Sequence, residues 1–568
     1  MLKMKSMFER KKILPLVLTL ANSIIKELGM VELINKSVEW DPDHWEVTPG
    51  DLAKIIVLST FFSMRIPLTH LADRFEGIDL DFFISSQSKS SGVNSFNAGR
   101  ALERIGRSDY GGIYETLALS AIKRANIPTE RLHADTTTIS FYGEYDIDTS
   151  SLTSEEREEC LAIERGYNKD GRPQCKQVVV GQIVNEAGMP VSSRTMDGST
   201  ADVDWNSEAV KYLKQLQASG FQYGVFVADS KLVTHDLVSS MNGEGGHVTF
   251  VSRCPSSFED KLEGRQIQKA YEAGGWVDLG SFHAGKDASA YRMQSFHEDV
   301  CGGPMRLLVL ESSSLKEKAR LSLEKERRSL DPAIKALEKK AFRCEADAAE
   351  EWRRFGREKG LKLFECACRM ERELIEKWPR GRRGAGTKPK IEERWHVKVT
   401  ETREREEECE RFLRRESCIV LISNAPEQYS DRELVAAYKG QQVVENSFRE
   451  LKSPSMASVV YLKNPDRIEA LCMLLTFSLL IRAIIQYRLR EGLREYLEKN
   501  PEGELRAGWG NRPLKNPTYR LFYEHGANCY FEKEGSGEYS FAWPTVETRE
   551  RMSILLELLG IGLEELVK

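Results

Sequence analysis

Apolar residues recur three and four positions apart along most of residues 1–128, which is the period of an amphipathic helix. The segment from Ile13 to Ile34 has this spacing, and Thr48 followed by Pro49 is typical of a helix start. A serine-rich stretch, 85–95, predicts a loop. The pattern therefore predicts an all-α N-terminal domain over residues 1–128.

The period changes to two at Arg131, which indicates β-strands. LHADTTTISF alternates, and KQVVVGQIVN and MPVSSRTMD predict the two strands of a hairpin around Gly188. A helix is predicted next, over 207–220, then a buried strand that ends at Asp229, and another strand in GHVTFVSRC. This order predicts an α/β core with a mixed sheet over residues 129–254.

The segment from Glu311 to about Cys409 is dense in charge and mostly helical in pattern. Strand character returns at SCIVLISN, 417–424, so we predict a large helix-rich insertion over 255–415 inside a core that resumes over 416–500. The twelve apolar residues from Ala470 to Ile481 are fewer than the ~20 that span a membrane, which predicts a buried helix. Residues 501–568 predict a tail with a short helix.

Composition narrows the class of protein. The chain has 568 residues, 41% of them hydrophobic, which predicts a soluble globular protein with ample core. Eleven cysteines without metal or disulfide spacing favour free thiols in a reducing cytoplasm. The net charge of -5 excludes a uniformly basic protein, but it sums unlike regions. Residues 401–410 are acidic, whereas residues 377–390 contain six lysines and arginines and no acid.

Two aspartates occupy positions where functional groups collect in α/β proteins. Asp135 lies within a strand, and Asp229 follows the strand VFVA. A carboxylate there costs folding energy unless it is paired or binds a cation. The alternatives are that Asp229 caps the next helix and that Asp135 bonds a nearby loop. His133 stands two residues before Asp135, and a structural role is favoured over a supporting role at the site.

A third carboxylate lies on the helical pattern of residues 431–452. Tyr438, Glu445 and Lys452 are spaced seven residues apart, nearly two helical turns, which predicts one shared face. A carboxylate and a lysine on one face suit a metal and a phosphate. The alternative is a solvated face with modest charge pairing.

These residues carry a family resemblance. YKGQQVVENSFRELK resembles the Y-R-E-K signature helix of bacterial insertion-sequence transposases, with Gln441 at the arginine position. LHADTTT and VADSKLVT resemble the strands that bear the two catalytic aspartates of that family. MDGSTADVDW resembles its G-N-x-x-D stretch, with Ser199 at the asparagine position. Residues 1–128 resemble the helical leader of one subgroup, so the resemblance covers most of the chain.

The resemblance implies an RNase H-like core and an endonuclease of the DDE type. The catalytic and metal-binding triad is then Asp135, Asp229 and Glu445, holding two Mg²⁺ ions for which Mn²⁺ substitutes. Water would free a 3′-hydroxyl at each element end, and that hydroxyl would attack target DNA. The implied partners are double-stranded DNA, with terminal inverted repeats and a target, and a second copy of the chain; no membrane is implied.

Basic residues are the candidates for holding that DNA. The resemblance assigns phosphate contacts to Lys452, with Tyr438 beside it, and Arg449 lies on the same helix. The glycine-rich basic segment 377–390 supplies further candidates for DNA contacts, Arg380, Arg382, Arg383, Lys388 and Lys390. The alternative is that this segment is a flexible solvated loop. Two other classes stay open at this point, a DNA-binding protein without catalysis and a metal-dependent nuclease without strand transfer.

Overall fold

The structure is a computed structural model, and it describes residues 12–64, 67–145, 160–243, 246–282, 288–358, 361–378, 380, 388–457, 462–535 and 537–568. The chain divides into two compact units, residues 1–251 with 437–568, and residues 252–436. The first unit contains the leader, most of the core and the tail. The second contains the insertion predicted over 255–415. The finer domain limits inside the first unit stay predictions.

The leader is helical, as its apolar period predicts. Thr48 caps the helix predicted at Pro49, because its side chain accepts a hydrogen bond from the backbone N–H of Asp51. The helices of the leader are Leu16–Leu28, Met30–Ser37, Pro49–Ser59, Leu71–Arg74, Leu80–Phe83, Ser95–Gly106 and Tyr110–Arg124, with 3-10 turns at Pro42–His44, Leu68–His70 and Ser90–Gly92.

Five strands form the sheet of the first unit. Their spatial order is Pro190–Met196, Lys176–Asn185, Arg131–Phe141, Val225–Ala228 and Phe250–Arg253. Each of the first three strands is antiparallel to its neighbour. The third, Arg131–Phe141, is called the central strand, and the fourth runs parallel to it. Numbered along the chain, the order is 3-2-1-4-5, as in an RNase H-like core. The predicted α/β fold class is confirmed.

Helices cover both faces of this sheet. The Asp202 helix (Asp202–Ala218) packs Trp205 against Gly181, where a Cβ atom would lie 2.4 Å from a ring carbon. Only glycine therefore lets the indole approach the strand. The Glu445 helix (Gln442–Leu451) contacts the central strand and Lys176–Asn185. The helix His235–Asn242 packs against the Asp202 helix.

The helix Pro465–Lys499 forms the centre of the first unit. It contacts the leader helices Ser95–Gly106 and Tyr110–Arg124 and the tail helix Val546–Leu559. Its length and apolar composition would suffice to cross a membrane, but 94% of its most apolar window is buried inside the protein. The segment is thus a buried helix in this structure, as its sequence predicts.

The tail contains more regular structure than the single short helix that its sequence predicts. The helix Tyr519–Gly526 precedes the antiparallel strands Tyr530–Lys533 and Tyr539–Ala542, and the helix Val546–Leu559 follows. The strand Ile13–Pro15 pairs with the first of these strands, so both ends of the described chain share one small sheet. The remaining elements are 3-10 turns at Trp509–Asn511 and Leu563–Glu565.

The second unit also contains strands and helices. Its antiparallel strands are Val277–Gly280, Tyr291–Val300, Gly303–Ser312 and Cys418–Ser423, and its helices are Leu262–Ala273, Ser313–Glu338, Glu345–Glu358 and Glu406–Ser417. The chain leaves this unit through the helix Asp431–Lys439. The strand expected at 417–424 is confirmed as Cys418–Ser423. Pro332 lies inside the helix Ser313–Glu338.

One part of the insertion differs from the helical expectation. Phe364–Lys377 and Lys390–Glu404 are two long antiparallel strands. Apolar residues do alternate, at Phe364, Cys366, Cys368 and Met370, and this face packs against the core cluster of the insertion. The dense charge around these positions hides the period of two in the sequence. Helix Ser313–Glu338 packs against the second strand, and Leu330, Ile334 and Leu337 cluster with Val397.

Candidate functional site

The central strand presents Asp135 on the face that carries the Glu445 helix. Asp135 lies directly opposite Gln182 in the antiparallel pair, so the two side chains share a face. The hydroxyl of Ser447, in the Glu445 helix, donates to Oε1 of Gln182 at 2.8 Å. Asp135 is partly exposed, and burial raises the pKa of its carboxyl group although Lys169 opposes that shift. The position predicted from sequence is therefore an open site on the sheet.

Asp229 directly follows the strand that neighbours the central strand. The strand Val225–Ala228 runs parallel to the central strand, with Val227 paired to His133. Continuing that register by two residues sets Asp229 level with Asp135. Burial raises the pKa of Asp229, and the carboxylates of Asp202 and Asp135 raise it further. The two predicted aspartates thus form one electrostatically coupled site.

Asp229 also has a capping role, which its sequence indicates as the alternative to a role in the site. Its Oδ1 accepts a hydrogen bond from the backbone N–H of Lys231 at 3.0 Å, which caps the 3-10 turn Ser230–Leu232. Nδ2 of Asn206, on the Asp202 helix, lies 3.4 Å from the same oxygen. These contacts fix the carboxylate at the end of its strand, so capping and a place in the site are compatible.

Two residues that sequence reasoning left out of the site lie against Asp135. Lys169 Nζ is 3.4 Å from Oδ1 of Asp135 and 3.0 Å from Oδ1 of Asp202. Asp202 is the last residue of the G-N-x-x-D-like stretch, which was recognised without being assigned to the site. Burial works to raise the pKa of Asp202, but hydrogen bonds from Thr136 and Lys169 outweigh it, and the pKa is lowered.

The turn GYNKDGRP explains how Lys169 reaches the site. The side-chain oxygen of Asn168 accepts hydrogen bonds from the backbone N–H groups of Asp170 and Arg172, at 2.9 and 3.0 Å. Gly171 takes a positive φ of 70° in this turn. Lys169 and Asp170 are therefore presented side by side at a fixed bend. GYNKDGRP is typical of a turn, but the sequence does not show which residues lie beside that turn in space.

Glu445 lies on its own short helix rather than on one continuous helix over 431–452. The chain turns at Gly440 and Gln441, between Asp431–Lys439 and Gln442–Leu451. A Cβ at position 440 would lie 3.2 Å from Cε1 of His133 and 3.1 Å from the carbonyl oxygen of Ala437, so glycine permits this close approach. Tyr438 and Glu445 therefore lie on two separate helices, with Lys452 just after the second, so the one continuous helix that the predicted shared face assumes does not form.

Helix packing nevertheless brings Lys452 to the site. Its ammonium group lies 2.6 Å from Oδ1 of Asp170, the neighbour of Lys169. Glu445 is exposed, and within the described residues the oxygens of Asp135, Asp229 and Glu445 do not all come within 4.8 Å of one another. The structure thus sets the two aspartates level with each other, and it places Glu445 on a helix packed against the central strand.

His133 fits the structural reading that its sequence favours. Its side chain is 1% exposed, and burial, with a smaller contribution from Arg131, lowers its pKa to about 4. The imidazole is therefore neutral at physiological pH. Since a lowered pKa favours the uncharged ring, His133 packs beneath Gly440 without contributing charge to the neighbouring aspartates.

The remaining DNA-binding candidates are distributed over both units. Arg449 is exposed and donates to Oδ1 of Asn446 at 2.9 Å, and Tyr438 is half-buried. In the second unit, Arg380, Lys388 and Lys390 are exposed where the chain connects Phe364–Lys377 to Lys390–Glu404, the two strands of a hairpin. Lys377 pairs with Glu392, which offsets part of the local positive charge. Arg382 and Arg383 lie outside the described residues.

Comparisons with known proteins return few matches. A family model described as a domain of unknown function, DUF4277, matches residues 11–119, the predicted leader. No curated protein matches the chain. Among solved structures, the chain is similar to piggyBac transposase in a cryo-EM synaptic complex with hairpin DNA, at 10% identity and a TM-score of 0.37, covering 97% of this chain and 83% of that one. That TM-score is too low to establish a common fold.

Proposed function

We propose that the chain is a DDE transposase of a bacterial insertion sequence, which cuts the ends of its element and joins the 3′-hydroxyls to target DNA. One observation carries the proposal. Asp229 lies level with Asp135 on adjacent parallel strands of a 3-2-1-4-5 sheet, and the helix of Glu445 packs on the face to which Asp135 points. Paired carboxylates at that point suit reactions on anionic phosphodiesters.

The residues present fit divalent cations. Hard ions such as Mg²⁺ take carboxylate oxygens, and Asp135 and Asp229 offer these side by side. Asp135, Asp229 and Glu445 would hold the ions, with Mn²⁺ able to replace Mg²⁺. Two such ions, when bound, activate an attacking oxygen and stabilise a leaving one. The sheet holds the two aspartates in place, and the Ser447–Gln182 hydrogen bond fixes the helix that carries Glu445.

DNA binding is assigned to basic residues around the site and on the hairpin. Lys452 contacts Asp170, the neighbour of Lys169, and its proposed role is to meet a phosphate near the cut. Tyr438 and Arg449 belong to the same region of the first unit. Arg380, Lys388 and Lys390 give one end of the hairpin positive charge. We propose the same DNA-binding role for Arg382 and Arg383, which lie outside the described residues. We propose double-stranded DNA as the ligand and a homodimer as the form that pairs two element ends.

The cellular setting follows from the same proposal. All eleven cysteines are free thiols, which suits a reducing cytoplasm, where the protein would meet chromosomal DNA. Salt-dependent affinity for DNA is expected, because basic side chains release counter-ions when they contact phosphates.

The test uses the full chain, Mg²⁺ and a supercoiled plasmid that carries the gene with its flanking DNA. A transposase gives cuts at two inverted sequences and products joined to a second plasmid, which sequencing of the junctions detects. Cuts without joined products would indicate a nuclease, and binding without cuts would indicate a DNA-binding protein. Either result would refute the proposed function.

A further inference from the structure

Lys169 occupies a cluster of oxygen atoms beside the proposed metal site. Four oxygens lie within 3.4 Å of its Nζ: Asp135 Oδ1 at 3.4 Å, Asp202 Oδ1 at 3.0 Å, the Thr136 carbonyl oxygen at 3.0 Å and Thr136 Oγ1 at 2.6 Å. The cluster therefore surrounds a positive charge with two carboxylates, a carbonyl and a hydroxyl. These are the ligand types that hard divalent cations take in proteins.

The surrounding structure restrains Lys169 in this position. Its side chain is only 26% exposed, and its backbone N–H donates to Oγ1 of Thr138 on the central strand at 3.2 Å. The next residue, Asp170, contacts Lys452 on the C-terminal side of the Glu445 helix. The turn is thus tied to the central strand at one residue and to that helix at the next. A lysine at an exposed position on the surface would lack both of these restraints.

We propose that Lys169 is a positioning residue, an internal counter-ion that holds Asp135 and Asp202 together until a divalent cation displaces its ammonium group. The inference rests on the proposed function, because it assumes that Asp135 binds a metal. An ammonium group and a divalent ion compete for the same carboxylate oxygen, since both positive charges cannot occupy one contact distance without strong repulsion. Metal affinity is therefore set partly by the cost of moving Lys169.

The competition between Lys169 and the metal ion predicts that a substitution near the metal site strengthens metal binding instead of weakening it. Lys169→Met removes the internal charge and keeps most of the side-chain volume, so Mn²⁺ should bind at least about tenfold more tightly than to the wild type. Lys169→Arg keeps the charge and should retain an affinity near that of the wild type. Lys211→Met is the matched control, because Lys211 is an exposed lysine on the Asp202 helix that pairs with Glu208 instead.

The measurement is Mn²⁺ binding to the full chain without DNA, by calorimetry or by the electron paramagnetic resonance signal of free Mn²⁺. Circular dichroism checks that each variant is folded, and Lys169→Gln replaces Lys169→Met if the latter is not. Tighter binding by the neutral variant, with the control unchanged, supports the proposal. Equal or weaker binding by the neutral variant, while the wild type binds, overturns the role of Lys169 and leaves the metal site standing. Failure of all variants to bind Mn²⁺ refutes the metal site itself.

Discussion

Glu469 is a carboxylate whose ionisation opposes folding. It lies in the first turns of the helix Pro465–Lys499, and its Oε1 accepts a hydrogen bond from the hydroxyl of Tyr110 at 3.1 Å. Burial raises the pKa of Glu469 from its ordinary 4.5 to about 7, with Asp466 and Asp197 adding to the rise and the Tyr110 hydrogen bond opposing it. The hydrogen bond between Tyr110 and Glu469 joins the leader to the helix Pro465–Lys499, so a charge on Glu469 lies where the leader and this helix pack.

The sign of the pH dependence follows from these values. In the folded protein Glu469 keeps its proton to about pH 7, whereas the unfolded chain releases it near pH 4.5. The folded state binds more protons in this window, so the free energy of unfolding falls as the pH rises through it and levels off above. At about 1.4 kcal/mol per pKa unit the shift corresponds to at most about 3 to 4 kcal/mol. Partial solvent contact reduces the expected effect to about 2 kcal/mol.

Glu469→Gln isolates this effect, because an amide keeps an acceptor for Tyr110 and does not ionise. We expect the variant to match the wild type at pH 5 and to be about 2 kcal/mol more stable at pH 8. Urea unfolding followed by tryptophan fluorescence measures both differences. Glu495→Gln, at an exposed position of the same helix, is the control and should change neither. A difference between Glu469→Gln and the wild type that is the same at both pH values would refute the reasoning.

Two further predictions concern packing and protonation. Gly492→Ala should destabilise the protein by about 3 kcal/mol in urea unfolding, because its Cβ would lie 2.0 Å from the carbonyl oxygen of Leu558. The control is Gly264→Ala, in open space on another helix, which should be neutral or stabilising by up to about 1 kcal/mol. Equal losses of stability in the two variants would contradict the close contact at Gly492. His133, with its pKa lowered to about 4, should show no imidazole titration by NMR between pH 5 and 8, so a midpoint near 6.5 would contradict its burial. The same shift predicts that His133 contributes stability that is lost as the pH falls from about 6.5 to about 4.

The core strands were predictable because each buries at least one face. KQVVVGQIVN and VFVAD carry nearly continuous apolar residues, and the structure forms strands there. The strands Phe364–Lys377 and Lys390–Glu404 also have an alternating apolar face, which includes Cys366 and Cys368 in the first and Val397 and Val399 in the second. Charged residues fill most other positions of these strands, so the short apolar alternation does not stand out against a helical pattern.

The candidate site was predictable only in part. Asp135 and Asp229 stand at strand positions that a sequence pattern can identify, but Lys169 and Asp202 reach Asp135 from 34 and 67 residues away along the chain. Their contact depends on the bend at Asn168 and on the packing of Trp205 against Gly181. The break at Gly440 was also hidden, because a glycine inside a helical pattern does not reveal that His133 lies beside it.

Metal-dependent cleavage by the aspartate variants tests the central claim most directly. The measurement compares Mg²⁺-dependent cutting of the flanking DNA by the wild type, by Asp229→Asn and by Asp236→Asn, an exposed aspartate on the next helix. The account predicts that Asp229→Asn loses cleavage by at least about a thousandfold while still binding the DNA, and that Asp236→Asn cuts like the wild type. Normal cleavage by Asp229→Asn would contradict the assignment of the reaction to this site.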